Sequence, residues 1–303
     1  MDNGNTKVVS IYILICLIWG TTWVGIRASL ESLTPFMSAG TRFFLASSVI
    51  FIIMKFNGIT LQTDKLSIKL YLLMGFFSFI IPFGSVYWAQ QFVPSGLAAV
   101  LFAVYPFFVA LFSFIRIPEE KIGLLKIAGI ILGFTGIIVI FSDSFGQDMS
   151  DYIIGMMAIV LSGIMQANIA VTLKKSGGHL HSLSMNLIPM LLAGFFMTLI
   201  SLTIEDFSIN TFDLNAVVSV SYLAVFGSVV TFTSFYWLLK RVNVVILSLI
   251  AFITPIVALF AGWVFYNEQL TTRHFIGSAL VLVGLLWANM EAYFRYRKST
   301  KKL

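Results

Sequence analysis

The chain has 303 residues, 59% of them hydrophobic and 11% charged, with a mean hydropathy of +0.96. So few polar residues could not cover a soluble globule, so composition places the chain in a bilayer. The net charge of +6 does not indicate nucleic acid, because the basic residues gather on alternate loops, and the single cysteine, Cys16, excludes an internal disulfide and argues against a cysteine metal site.

Ten apolar runs follow one another, each long enough to cross about 30 Å of hydrocarbon as a helix. They fall near residues 8–30, 35–56, 68–92, 94–115, 121–141, 152–173, 180–203, 214–239, 243–265 and 271–294. The first follows Lys7, carries Trp19 and Trp23 and lacks a small-residue cleavage site, so it reads as a retained helix and not a signal peptide. Trp19, Thr22 and Trp23 share one of its faces. The second holds Arg42 about 10 Å from its start. A guanidinium there needs an acceptor: helix-end carbonyls or Glu31 in a structural reading, a substrate carboxylate in a functional one. In the third, Ser78, Pro82 and Ser85 form one stripe, and Tyr87 and Trp88 stand near the end, placed to anchor at the interface or to close a cavity mouth. The fourth carries Tyr105 beside Pro106, a candidate bend. Before the fifth lies Glu119, suited to capping that helix, with gating or proton handling as the competing role. Gly129, Gly133 and Gly136 give the fifth a close-approach face. Ser162 and Gln166 share a face of the sixth, Pro189 lies in the seventh, and Gly227, Thr231 and Ser234 stripe the eighth. The ninth contains Pro255 and Trp263. Glu268 precedes the tenth as Glu119 precedes the fifth, and Trp263 and Trp287 read as belt or lipid-facing.

The two halves are copies. Tyr87, Trp88, Pro106 and Glu119 return as Tyr236, Trp237, Pro255 and Glu268, and 236−87, 255−106 and 268−119 all equal 149. Glycines of the last helix in each copy continue at 148, from Gly129 to Gly277 and from Gly136 to Gly284. Pro189 has no proline partner at this spacing. With a cytoplasmic amino terminus, 16 of 19 basic residues fall on inside segments: Lys7; Lys55, Lys65 and Lys69; Arg116, Lys121 and Lys126; Lys174 and Lys175; Lys240 and Arg241; and Arg295, Arg297, Lys298, Lys301 and Lys302. Only Arg27 and Arg273 lie outside, so both termini are expected in the cytoplasm. Five helices per copy is an odd number, which turns the second copy upside down. The sequence therefore predicts an all-α integral membrane protein of ten transmembrane helices arranged as two inverted five-helix repeats. Residues 1–142 form the first repeat, 151–294 the second, and 295–303 a basic cytoplasmic tail.

At the residue level the chain resembles the drug/metabolite transporter superfamily, EamA type. The resemblance rests on Ile18, Trp19, Gly20 and Thr21, on Arg42, on Ala89 to Pro94 followed by Gly96, Leu97, Ala98 and Ala99, and on Pro255 through Gly262 to Leu270 with Gly277 and Gly284. It covers residues 10–290 and implies two inverted repeats, a central cavity, and alternating access without a bound cofactor. The segment Pro118, Glu119, Glu120 and Lys121 is more charged than its counterpart at Glu268, a departure that bears on symmetric gating.

Polar side chains inside a membrane are costly unless they face a cavity or a partner. The expected substrate-binding residues are therefore Trp19, Thr22, Ser78, Ser85, Tyr105, Gln166, Thr231 and Ser234, lining a pathway between the first, third, fourth, sixth, eighth and ninth helices. The competing reading of each Ser or Thr is helix packing. Pro106 and Pro255 are the expected hinges, with Glu119 and Glu268 as gating residues. No phosphate-binding loop suggests direct use of ATP, and His179, His181 and His274 lack metal-site spacing. Without a reactive cluster an enzyme is not expected, and no cofactor is called for. The expected function is secondary export of a small neutral or zwitterionic metabolite, such as an amino acid, or of drugs; the alternative is a passive channel or facilitator. Expected partners are a small-molecule substrate and the lipid bilayer, with no nucleic acid, and the chain is compatible with a homodimer. Its expected location is the cell membrane, of the bacterial inner-membrane type.

Overall fold

The structure is a computed structural model that describes residues 3–116, 123–142, 150–206, 212–239 and 250–300. Those residues form helices without a strand. Among the described residues eight spans are long and apolar enough to cross a membrane, and two shorter apolar helices complete the ten. In chain order they are α1 (Asn3–Leu30), α2 (Pro35–Phe56), α3 (Lys65–Met74) and α4 (Ile81–Ala89), α5 (Ser95–Phe102) and α6 (Tyr105–Arg116), α7 (Leu124–Ser142), α8 (Ser150–Ser176), α9 (Ser184–Ile204), α10 (Leu214–Ala224) and α11 (Thr231–Leu239), α12 (Ile250–Tyr266) and α13 (Thr272–Thr300).

The third and eighth spans are not simple α-helices. Six π-helical residues, Gly75–Ile80, join α3 to α4, and six more, Val225–Val230, join α10 to α11. In the first, Pro82 has no amide to donate one turn back, and the ladder widens so that the Ile81 amide reaches Phe76 O. In the second there is no proline. There the Thr231 amide reaches Phe226 O, while the Thr231 hydroxyl donates to Gly227 O at 2.9 Å and the Ser228 hydroxyl to Leu223 O at 3.0 Å. The two segments lie 150 residues apart, one more than the spacing of the Tyr-Trp landmarks.

The fourth span breaks. Helix α5 ends at Phe102, Ala103 and Val104 form a turn, and α6 resumes with Pro106 at its second residue, where a missing amide costs no hydrogen bond. The ninth span differs, since α12 runs unbroken through Pro255.

Packing reproduces the repeat. Helix α1 packs against the eighth and ninth spans, and α8, its counterpart, packs against the third and fourth. Helices α2 and α9 cross at two glycines: a Cβ on Gly40 would lie 2.8 Å from Thr198 N, and one on Gly194 would lie 2.8 Å from Phe44 N. Since 194−40 and 198−44 both equal 154, the contact is its own image under the exchange of halves. The same spacing sets Pro189, inside α9, against Pro35 at the first residue of α2, a match that the 149 spacing does not give. The spacing changes because α2 continues nine residues past Ser47 (56−47), whereas α9 continues three past Ser201 (204−201). Helices α7 and α13 cross in the same reciprocal way: a Cβ on Gly277 would meet Gly136 O, and one on Gly284 would meet Gly129 O, each at 2.6 Å.

Candidate substrate site between the two repeats

Arg42 is buried where α1, α2, the third span and the eighth span meet. It donates through Nε to Ser228 Oγ at 3.0 Å, through Nη1 to Tyr87 Oη at 3.2 Å and through Nη2 to Gly227 O at 3.3 Å. Two of these acceptors belong to the second π segment, whose widened ladder offers a carbonyl and a hydroxyl sideways. Glu31, one expected acceptor, lies instead beside Tyr266. Tyr87, expected to anchor at the interface or to close a cavity mouth, is fully buried against Arg42, whose guanidinium supplies its hydroxyl with a donor.

Rings surround this centre. The guanidinium carbon lies 5.2 Å from the ring centres of both Phe43 and Phe83. Phe43 packs on Phe79, Phe79 on Phe232, and Phe232 on Trp19, with centroids 5.4 to 5.8 Å apart. A second group, Trp23, Phe102 and Tyr105, stands at the break of the fourth span, with Phe102 stacked on Tyr105. Gly163 of α8 lets the sixth span approach that turn, since a Cβ there would lie 3.1 Å from Val104 Cγ2.

The expected site residues divide by what their polar atoms do. Thr22 and Thr231 direct their hydroxyls to the carbonyls of Trp19 and Gly227 in their own helices, so both serve local helix structure. Ser78, Ser85, Tyr105, Gln166 and Ser234 are half-buried, and their side chains have no hydrogen-bond partner among the described residues. Trp19 is half-buried between Phe232 and Phe235. Ser228, Phe79 and Phe232 were absent from the expected set. Ser228 was detectable as the residue 150 after Ser78, but the 149 spacing drew attention to Gly227 instead.

Glu268 was expected to cap the helix that follows it, and it does not. Asn267, with φ of 50°, turns the chain at the end of α12, and the Glu268 amide returns to Gly262 O at 3.2 Å. This directs the carboxylate across the repeat boundary to the start of α5, where it accepts from Ser95 N at 2.8 Å, Ser95 Oγ at 2.7 Å and Gly96 N at 3.0 Å. The same carboxylate pairs with Arg27 at the end of α1. An anion at unfilled backbone amides is favourable, and Arg27 balances its charge. Glu119 lies outside the described residues. No group of His, Cys, Asp and Glu suited to a metal occurs among the described residues.

Two inverted halves that share a polar, ring-lined centre define a multi-pass membrane protein built as transporters are. The EamA-like transporter family matches the chain twice, over residues 6–142 and 153–290, and the chain belongs to that family. Among similar proteins, the uncharacterized inner membrane transporter YedA of Escherichia coli (strain K12) is 28% identical over 285 residues, covering 91% of this chain and 89% of its own. The uncharacterized transporter YoaV of Bacillus subtilis (strain 168) is 25% identical over 92% of this chain and 95% of its own, and Protein PagO of Salmonella typhimurium is 26% identical over 91% and 90%. A protein of known crystal structure superposes with a TM-score of 0.69 at 16% identity, covering 95% of this chain and 98% of its own, a likeness of fold alone.

Proposed function

We propose that this transporter exports a small neutral or zwitterionic metabolite, of the size and polarity of an amino acid, by alternating access, with both termini cytoplasmic. The observation that carries the reading is the Glu268 latch. One carboxylate from the second repeat ties the start of α5 and the end of α1, both in the first repeat, on the face that the basic-residue bias assigns to the outside. These are exchangeable polar contacts at a helix terminus, so water can replace them when the face opens, whereas burying apolar packing there would resist opening. The broken fourth span supplies a section that can tilt, and the half-buried Ser78, Ser85, Ser234, Tyr105 and Gln166 supply neutral polar groups along the path.

The test is uptake by proteoliposomes from a mixed metabolite panel, with and without a pH gradient, read by mass spectrometry. Saturable enrichment with substrate-driven counterflow is expected in the native protein. Glu268→Gln retains three of the contacts in weakened form and is expected to lower exchange about 10-fold or more. Nonsaturating conductance, or exchange unchanged by Glu268→Gln, would overturn the reading.

A further inference from the structure

Building on the transporter reading, we infer that Arg42 anchors a carboxylate of the cargo, which is therefore a monocarboxylate with an apolar or aromatic body. Inside a membrane a guanidinium is retained beside a partner of opposite sign or along a pathway. Arg42 has three uncharged acceptors and, among the described residues, no carboxylate. Of its five N–H groups, one on Nη1 and one on Nη2 remain without an acceptor among the described residues, two donors available to the two oxygens of a carboxylate. Phe83 stands beside the guanidinium, 5.2 Å from its carbon, and the half-buried Phe232 and Trp19, joined to this cluster through Phe79, extend the ring surface available to an apolar body.

A structural pin does not require this charge. At the 154 spacing the residue equivalent to Arg42 is Phe196 (196−42), which is half-buried and packs on Phe76 of the first π segment at 5.6 Å. One π segment is thus supported by a phenyl ring in an otherwise reciprocal crossing. The arginine adds to that crossing a positive charge and two donors, which are the requirements of anion recognition.

The full chain in lipid nanodiscs is titrated with phenylalanine, leucine and phenylpropionate, each paired with its carboxamide, and binding is read as thermal stabilisation. The best-bound acid is expected to bind at least about 30-fold more tightly than its amide, the difference between a charge-assisted pair and a neutral contact. Arg42→Gln is expected to reduce that preference below about 3-fold, and Arg42→Lys, which keeps the charge without the fork, falls between. Equal binding of acid and amide by the native protein, a preference that survives Arg42→Gln, or no binding of any acid in the panel would each overturn the inference. The acid–amide comparison in the native protein decides it even where Arg42→Gln does not fold. Saturable counterflow restricted to amines or uncharged solutes would leave the transporter reading intact and remove the role of Arg42, whereas absence of saturable flux from the mixed panel would remove the reading beneath it.

Discussion

At the scale of single residues, hydrocarbon makes each polar group and each missing side chain consequential. Gly129 illustrates the second: a Cβ there would lie 2.9 Å from Ala288 Cα and closer still to backbone atoms of α13, which cannot yield as a side-chain tip can. Gly129→Val is therefore expected to lose about 3 kcal/mol or to leave no folded protein, judged by thermal unfolding in detergent. Gly178→Ala, with nothing within 4 Å of its Cβ, stays within about 0.5 kcal/mol of the parent. Outside the membrane, Asp213 caps α10 by accepting from Ala216 N at 2.8 Å and from Ser32 Oγ at 2.9 Å, and these bonds hold its carboxyl below the ordinary value of 3.8. Because the folded value is the depressed one, this contribution is complete above the ordinary value and disappears as pH falls through the folded one. Thermal midpoints should fall more steeply below about pH 4 in the native protein than in Asp213→Asn, where no charge remains to be neutralised.

At the scale of elements, the ten apolar runs and their order were legible because a bilayer imposes length and polarity on each span independently. The π segments were not. Pro82 marks one in the sequence, yet the other arises at Thr231 without a proline, through hydroxyl contacts that exist only once the helix has formed. The two expected hinges also separated: Pro106 opens α6 after a break, while Pro255 sits inside a continuous helix. Pro106→Ala should extend α5 into α6 and lower turnover about 5-fold or more, whereas Pro255→Ala should change it less than about 2-fold, measured as initial exchange rates in proteoliposomes. Equal effects of both substitutions would show that the break does not matter to the cycle.

For the whole molecule, the duplication was readable from four landmarks, but the contacts between its halves were not, since spacing cannot say which face of a helix meets which. Glu268 shows the limit. Its place before the last span suggested a local cap, and only the fold carries the carboxylate to Ser95 in the other repeat. If the halves operate as images, Glu119→Gln should increase labelling from the cytoplasmic side and Glu268→Gln from the outside, read with single cysteines introduced on each face in a Cys16→Ser background; labelling on the same side in both variants would exclude paired gates. The reciprocal crossings at Gly40 and Gly194, and at the α7–α13 glycines, have a further consequence. Exchanging the roles of the two halves maps these contacts onto themselves, so their energy is the same in either orientation and cannot decide which one an empty carrier prefers. That preference falls to the unmatched residues, chiefly Arg42 against Phe196, and replacing a few such side chains could reverse the resting orientation while the scaffold stayed as it is.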